Sequence, residues 1–97
     1  MTIEELADQH NLTMIVTERE LYRECSVHRW YAYFEDAETK DGPMLIDTYG
    51  DGGTPEEAIA DYARRISGKL LVINAHQKSR REIQVPRLVY DNHGDTK

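Results

Sequence analysis

Cysteine is nearly absent from this 97-residue chain, and long apolar runs are missing. Cys25 is the single cysteine, so no disulfide can form within the chain, and this scarcity favours a reducing compartment. No apolar run approaches the roughly 18 residues that a membrane-spanning helix needs. The N-terminus opens with Thr2, Glu4 and Glu5 instead of a basic stretch followed by an apolar segment. The sequence therefore predicts a cytoplasmic protein with no secretion signal and no contact with a membrane.

Material for a second hydrophobic core is also lacking, because two cores would need a longer chain. The composition, 39% hydrophobic and 31% charged, is sufficient for one two-layer core. We therefore expect a single domain over residues 1–90 and a flexible tail over residues 91–97.

Capping signals and hydrophobic periodicity predict the secondary structure. Thr2 and Glu5 have the spacing of a capping box, which predicts a short helix from Ile3 to His10. Alternating side chains over residues 12–17 predict a strand, and aromatic residues over 27–34 predict a second. Residues 35–42 have the composition of an acidic turn, and residues 44–49 form the third predicted strand.

The strongest local signal is the sequence Thr54-Pro55-Glu56-Glu57, which combines an N-cap, a proline at the first helical position and an acidic first turn. Apolar residues at helical spacing extend this helix to Ile66, and Gly68 ends it. Strands are predicted over residues 70–73 and, more briefly, 83–85. The order αβββαβ, with a short further β, predicts an α+β fold in which a two-layer antiparallel sheet packs against one longer helix.

Groups that could carry catalysis or bind a metal do not assemble into a known pattern. Cys25 and His28 supply at most half of a zinc site, and no second pair follows. Asp47, Asp51 and Gly52 resemble the opening of a calcium loop, but Ala58 stands where the bidentate carboxylate is needed. We therefore expect no enzymatic activity, no metal site and no cofactor.

The charge is divided unevenly along the chain. Residues 1–61 carry 15 acids and 4 bases, whereas residues 62–97 carry 3 acids and 8 bases. A surface of one sign can steer a partner of the opposite sign, although solvated charges in small domains often serve solubility alone. The candidate acidic surface consists of Asp36, Glu38, Asp41, Asp47 and Asp51. The candidate basic patch consists of Lys78, Arg80, Arg81 and Arg87.

The segment from Trp30 to Ile66 resembles the core of HicB-type antitoxins. Its aromatic strand leads through a further strand and Gly50-Asp51-Gly52-Gly53 into the capped helix start at Thr54. The whole chain is similar in size, acidity and style to short accessory proteins of phages and prophages, some of which are anti-CRISPR inhibitors of host defence. This second resemblance assigns a role to no particular residue.

Two functions follow from these features. The acidic surface fits a phage-type inhibitor that occupies the basic, nucleic-acid-binding surface of a host protein. The basic patch fits an antitoxin-like or RNA-binding module, which the net charge of −6 makes the less favoured interpretation. An exposed Trp30 or Tyr31 would favour a protein interface. A homodimer through a free strand edge is compatible with the sequence, but no residue selects it.

Overall fold

The computed structural model describes residues 1–19 and 29–89. The start of the predicted second strand, the Cys25 and His28 pair and the predicted tail therefore lie outside the described residues. The described residues form two helices and seven strands, which confirms the α+β class. In chain order these elements are α1 (Ile3–His10), β1 (Met14–Glu18), β2 (Trp30–Phe34), β3 (Ala37–Asp41), β4 (Met44–Ile46), β5 (Gly50–Gly52), α2 (Pro55–Ile66), β6 (Leu70–Ile73) and β7 (Arg81–Gln84).

The strands form two antiparallel sheets. The first sheet has the order β1-β2-β5, and the second has the order β4-β3-β6-β7. Helix α2 packs mainly against β5 and β2 of the first sheet. The chain passes from the first sheet to the second at the turn between β2 and β3, and it returns between β4 and β5. These two crossings bring loops from both sheets together.

Both helices begin where the sequence predicts. The Thr54 hydroxyl accepts a hydrogen bond from the Glu57 amide at 3.1 Å, and the Glu57 carboxylate accepts one from the Gly53 amide at 2.9 Å. The Thr2 hydroxyl and the Glu5 side chain form the predicted capping box. Neither helix of the described residues is long and apolar enough to span a membrane.

The core lies between α2, α1 and the inner faces of both sheets. Phe34 of β2 meets Tyr62 of α2 edge to face, with ring centroids 5.5 Å apart. Leu71 and Ile83 contribute from the second sheet. Burial raises the pKa of the Tyr62 phenol to about 12.

The structure differs from the predicted strand order in two places. Residues 37–41, predicted as part of a turn, form β3, which pairs with β4 on one side and β6 on the other. Only Thr39 of this strand is buried, so its composition remains polar and resembles that of a turn. Residues 50–52, predicted as a loop, form β5.

The glycines of β5 are explained by the approach of α2. A Cβ atom at Gly50 would lie 2.2 Å from the Ala58 carbonyl oxygen, and one at Gly52 would lie 2.5 Å from the Ala58 amide nitrogen. Only glycine permits the helix backbone to come this close. The same composition that indicates a loop in the sequence thus serves close packing of a helix on a strand.

Smaller differences concern the ends of three strands. The first strand covers Met14–Glu18 instead of residues 12–17. The strand predicted over residues 44–49 ends at Ile46, and the last strand covers Arg81–Gln84 instead of residues 83–85. Val85 leaves the strand but remains buried, and its amide donates to the Lys69 carbonyl oxygen at 2.9 Å.

Candidate partner-binding surface

A cleft of about 300 Å³ opens where three connections meet: the β2–β3 turn, the β4–β5 segment and the β6–β7 loop. Three of the five predicted acidic residues, Asp36, Glu38 and Asp47, line it. We call this cavity the acidic cleft. The structure thus brings together carboxylates that are separated by up to eleven positions in the sequence.

Backbone hydrogen bonds connect the turn that carries Asp36 to the β6–β7 loop. Asp36 adopts a positive φ of 61° in the tight turn before β3, a conformation that aspartate tolerates better than most residues. Its carbonyl oxygen accepts a hydrogen bond from the Asn74 amide at 3.0 Å, which ties the β6–β7 loop to this turn. Asn74 also has a positive φ, of 56°, and its side chain donates to the Ser79 hydroxyl at 3.0 Å.

Glu38 has an unusual environment for a carboxylate. Its Oε1 atom is buried and has no hydrogen-bond partner within residues 1–19 and 29–89. On β6, the residue opposite Glu38 is Val72, which is fully buried. Buried polar atoms without partners are uncommon because losing water costs free energy that no hydrogen bond restores. A cationic group entering the cleft could supply the missing interaction.

Three tyrosines form one side of this region, and we call them the tyrosine cluster. Side chains alternate along a strand, so Tyr31 and Tyr33 lie on the face of β2 opposite to Ala32 and Phe34, which are buried. The rings of Tyr31 and Tyr33 stack with centroids 6.0 Å apart, and Tyr49 meets both edge to face at 5.8 and 5.4 Å. Tyr33 and Tyr49 also line the acidic cleft.

The remaining two predicted acidic residues lie elsewhere. Asp41 is exposed at the far end of β3, about 13 Å along the strand from Ala37 at the usual rise per residue. Asp51 of β5 forms an ion pair with Arg19 at 2.5 Å. Its amide donates to the Asp61 carboxylate at 2.9 Å. Asp51 therefore belongs to an ion-paired network next to α2 and not to the acidic cleft.

Asp61 is the centre of that network. Its Oδ1 accepts from Arg64 at 2.5 Å and its Oδ2 accepts from Arg65 at 2.8 Å. Burial alone would raise the pKa of Asp61, but the hydrogen bonds from Asp51, Arg64 and Arg65 and the charge of Arg65 outweigh it, so the pKa is lowered.

The four residues of the predicted basic patch do not form one surface. Lys78 and Arg80 lie in the β6–β7 loop and Arg81 begins β7, whereas Arg87 follows the opposite end of that strand. Arg80 pairs with Glu82 at 3.0 Å, and Arg81 donates to the His10 carbonyl oxygen at 2.8 Å. Two of the cations are thus already engaged within the chain.

Sequence reasoning missed Tyr49, which lines the acidic cleft. It grouped His76 with the basic patch, whereas the structure places His76 in the lining of the acidic cleft. The period-two order Tyr31-Ala32-Tyr33-Phe34 could have indicated that two tyrosines share one face, but it contains no sign of Tyr49. Trp30 and Tyr31, whose exposure would have favoured a protein interface, are both half-buried, and Trp30 packs against the core. In the described part of the chain, no group of three or more His, Cys, Asp or Glu side chains is arranged to hold a metal ion.

Strand edges suitable for dimerisation are present, but the homodimer stays a prediction. Strand β4 is one edge of the second sheet. It exposes 62% of Met44 and 41% of Ile46.

Comparisons with known proteins return no relative: no protein-family model, no curated protein and no solved structure matches this chain. The resemblances to HicB-type antitoxins and to phage inhibitors therefore stay predictions.

Proposed function

We propose that this protein is a non-enzymatic, cytoplasmic binding module whose acidic cleft and tyrosine cluster receive a basic surface of a partner protein. The biological role that fits this surface is a phage-type inhibitor, which blocks a host defence protein by occupying its nucleic-acid-binding site. The buried Oε1 atom of Glu38 carries the proposal, because no group within residues 1–19 and 29–89 forms a hydrogen bond with it.

The carboxylates of the cleft support a cationic partner. Asp36 and Asp47 are exposed at the rim of the cleft, where they can steer a basic surface towards it. A lysine or arginine that enters the cleft meets the Glu38 carboxylate in partly desolvated surroundings, where a charge-assisted hydrogen bond is strong. Inhibition by occupancy needs no cofactor and no catalytic group.

The tyrosine cluster suits a protein interface. Tyrosines are enriched among the residues that dominate binding energy, since a rigid ring buries a large area at a small entropic cost. Tyr33 and Tyr49 adjoin the three carboxylates, so a partner arginine could stack on a ring while it pairs with an acid.

The second candidate is an antitoxin-like or RNA-binding module that uses the basic patch. Lys78 and Arg80 are exposed together in the β6–β7 loop, which favours this interpretation. The ion pair of Arg80 with Glu82 and the distance of Arg87 from the loop weaken it. We therefore rank it below the acidic cleft.

The test is recovery of tagged protein and its partners from bacterial lysate, with and without nuclease and at low and high salt. The cleft variant D36N/E38Q/D47N removes three charges with little change of shape, and asparagine tolerates the positive φ at position 36. The control variant E4Q/D8N/E56Q removes three charges from exposed helix positions.

We expect a protein partner that survives nuclease, dissociates at high salt and is lost with the cleft variant but retained by the control. If the cleft variant and the control variant lose the partner equally, binding depends on net charge and not on the acidic cleft. Recovery of nucleic acid that disappears with K78Q/R80Q would move the function to the basic patch.

A further inference from the structure

A second cavity, of about 380 Å³, separates the C-terminal half of α2 from the β3–β4 hairpin. Its lining includes three cations, Arg64, Arg65 and Lys69, and one carboxylate, that of Asp41. We call it the basic groove. Thr48 lines both this groove and the acidic cleft, so two cavities of opposite charge adjoin one segment of the chain.

The two arginines of the basic groove both form ion pairs with Asp61. Asp61 accepts a hydrogen bond from each of them, at 2.5 Å from Arg64 and 2.8 Å from Arg65. A guanidinium group has five N–H donors, so each arginine keeps further donors after this contact. Arginines whose orientation is already set lose less conformational entropy when they bind an anion.

Lys69 is the third cation that lines the basic groove. Its amide donates to the Ile66 carbonyl oxygen at 2.9 Å, and its own carbonyl oxygen accepts from the Val85 amide at 2.9 Å. Within residues 1–19 and 29–89 its ammonium group forms no ion pair. The backbone thus fixes where Lys69 leaves the end of α2, while its charge is not neutralised by a described carboxylate.

A buried hydroxyl provides an independent sign of a ligand. Thr39 of β3 is 3% exposed, lines the basic groove, and its Oγ1 has no hydrogen-bond partner among the described residues. A buried hydroxyl without a partner is destabilising. A ligand oxygen that accepts from this hydroxyl would remove that cost.

We propose that the basic groove binds a phosphoryl group, with Arg64, Arg65 and Lys69 balancing its charge and the Thr39 hydroxyl donating to one of its oxygens. Arginine forks match phosphate oxygens in geometry, and lysine adds a compact charge. The groove is larger than one phosphate needs, which leaves room for an attached group. This site is separate from the proposed function and does not depend on it.

The C-terminal end of a helix carries a partial negative charge that disfavours an anion. Here the Ser67 and Lys69 amides already bond the Ala63 and Ile66 carbonyl oxygens of the last turn. Arg64, Arg65 and Lys69 carry three positive charges, while Asp41 and Asp61, which pairs with both arginines, carry two negative ones. The remaining net positive charge exceeds the partial charge of about −0.5 at the helix end.

The experiment is a titration of the full ¹⁵N-labelled chain followed by NMR at constant ionic strength. The probes are inorganic phosphate, adenosine 5′-monophosphate and a single-stranded oligouridine. We expect saturable shifts at the amides of Thr39, Arg65 and Lys69. Comparable affinity for all three probes would indicate free phosphate as the source, whereas tighter binding of the second or third would indicate a nucleotide or a nucleic-acid backbone.

Variants separate a built site from general electrostatics. R64Q/K69Q should weaken phosphate binding by roughly tenfold or more, because two charge-assisted contacts are removed. K78Q/R87Q removes two exposed cations outside the groove and should change the affinity by less than about twofold. Equal weakening by both variants, or an absence of groove shifts with every probe, would overturn the proposal.

Two conservative variants are expected to change the affinity for phosphate in opposite directions. Thr39→Val should weaken phosphate binding several-fold while raising the melting temperature, because it removes the unpartnered hydroxyl. Asp41→Asn should tighten binding several-fold, because among the described residues that line the groove Asp41 alone carries a carboxylate. Unchanged affinity in both variants would contradict the assigned geometry even if the chain binds phosphate.

Discussion

The acidic cleft and the basic groove are neighbours of opposite charge, and the chain assembles them differently. The cations of the groove come from the last turn of α2 and the residue after Gly68, so they are close in sequence. The carboxylates of the cleft come from the β2–β3 turn, from β3 and from the β4–β5 segment, and they meet because the chain crosses between two sheets. Local charge patterns can therefore reveal the first kind of site, whereas the second kind depends on tertiary structure.

Each site also has one buried polar atom without a hydrogen-bond partner in residues 1–19 and 29–89, the Glu38 Oε1 in the cleft and the Thr39 Oγ1 in the groove. These residues are consecutive on β3, so they point to opposite faces of the second sheet. One strand thus contributes to both cavities. The comparison of the acidic cleft with the basic groove can be tested by substitutions that affect both sites, one site or a single side chain.

The largest effect should follow Gly50→Ala, which disrupts the support shared by both sites. The new methyl group would lie 2.2 Å from backbone atoms of Ala58 and Tyr62, which cannot move without shifting α2 from β5. We expect a loss of more than about 3 kcal/mol in the free energy of unfolding, measured by urea denaturation. Gly42→Ala is the control, because nothing lies within 4 Å of the new atom. The positive φ of Gly42 should still make this substitution cost about 1–2 kcal/mol. Equal losses in the two variants would contradict the close approach of α2.

The next effect is alkaline destabilisation of the core that both sites share. The folded chain holds the pKa of Tyr62 at about 12, above the ordinary value of 10.0, so the folded state retains this proton more strongly than the unfolded state. The resulting stability is complete below pH 10.0 and is lost as the pH rises through about 12. We expect a decrease of about 2–3 kcal/mol across this window, measured by urea denaturation at successive pH values. In Tyr62→Phe most of this alkaline loss of unfolding free energy should be absent. If the variant loses as much as the parent, other groups are responsible for the loss.

A smaller effect on stability, which disappears at acid pH, should follow Asp61→Asn. This change weakens the hydrogen bonds that the Asp61 carboxylate accepts from Arg64, Arg65 and the Asp51 amide. We therefore expect the free energy of unfolding to fall by about 1 kcal/mol at pH 7. Because the pKa of Asp61 is lowered on folding, its stabilisation is present above the ordinary value of 3.8 and is lost as the pH falls below it. The difference between variant and parent should therefore shrink near pH 3. A constant difference would show that the charge is not responsible.

Asp61→Asn also sharpens the comparison of the two sites. Phosphate binding at the basic groove should tighten, since the carboxylate that neutralises Arg64 and Arg65 is removed, while binding of the protein partner at the acidic cleft should not change. Glu56→Gln, at an exposed position of the same helix, is the control for charge. A change in partner binding of similar size would indicate that the two cavities act as one surface.

The smallest effect should follow Glu38→Met, which removes one carboxylate from the acidic cleft. Removing a buried carboxylate oxygen without a partner should raise the free energy of unfolding by about 0.5–1 kcal/mol, measured by thermal denaturation. Capture of the partner should decrease at the same time. Glu35→Met, at an exposed neighbouring position, should change neither quantity by a comparable amount. A loss of stability in Glu38→Met would mean that the carboxylate is already satisfied in the folded chain.

Much of the secondary structure was predictable because its signals are local. The capping residues Thr2 and Thr54 act on amides three positions away, so the starts of both helices can be deduced from adjacent residues. The continuous apolar run of β6 also identifies a buried strand without reference to the rest of the chain. Strand β3 could not be identified in this way, because its polar residues gain their partners from β4 and β6.

The candidate sites were predictable only in part. The acidic character of residues 36–51 is evident in the sequence, and three of the five chosen residues do line one cleft. Asp51 differs because Arg19, 32 positions earlier, is brought to it by the pairing of β1 and β5 on either side of β2. The chosen basic residues separate because Arg81 begins β7, whereas Arg87 follows the opposite end of that strand.

The sequence by itself determined the α+β class, the two helices with their caps and the division of charge, since each depends on residue type and on neighbours within one or two turns. Only the tertiary structure decided which charges lie together, which ones are neutralised by partners, and that Gly50 and Gly52 form a strand beneath α2. The physical reason is that charge pairing and close packing depend on distances in space, and these are set by how two sheets and a helix share one core.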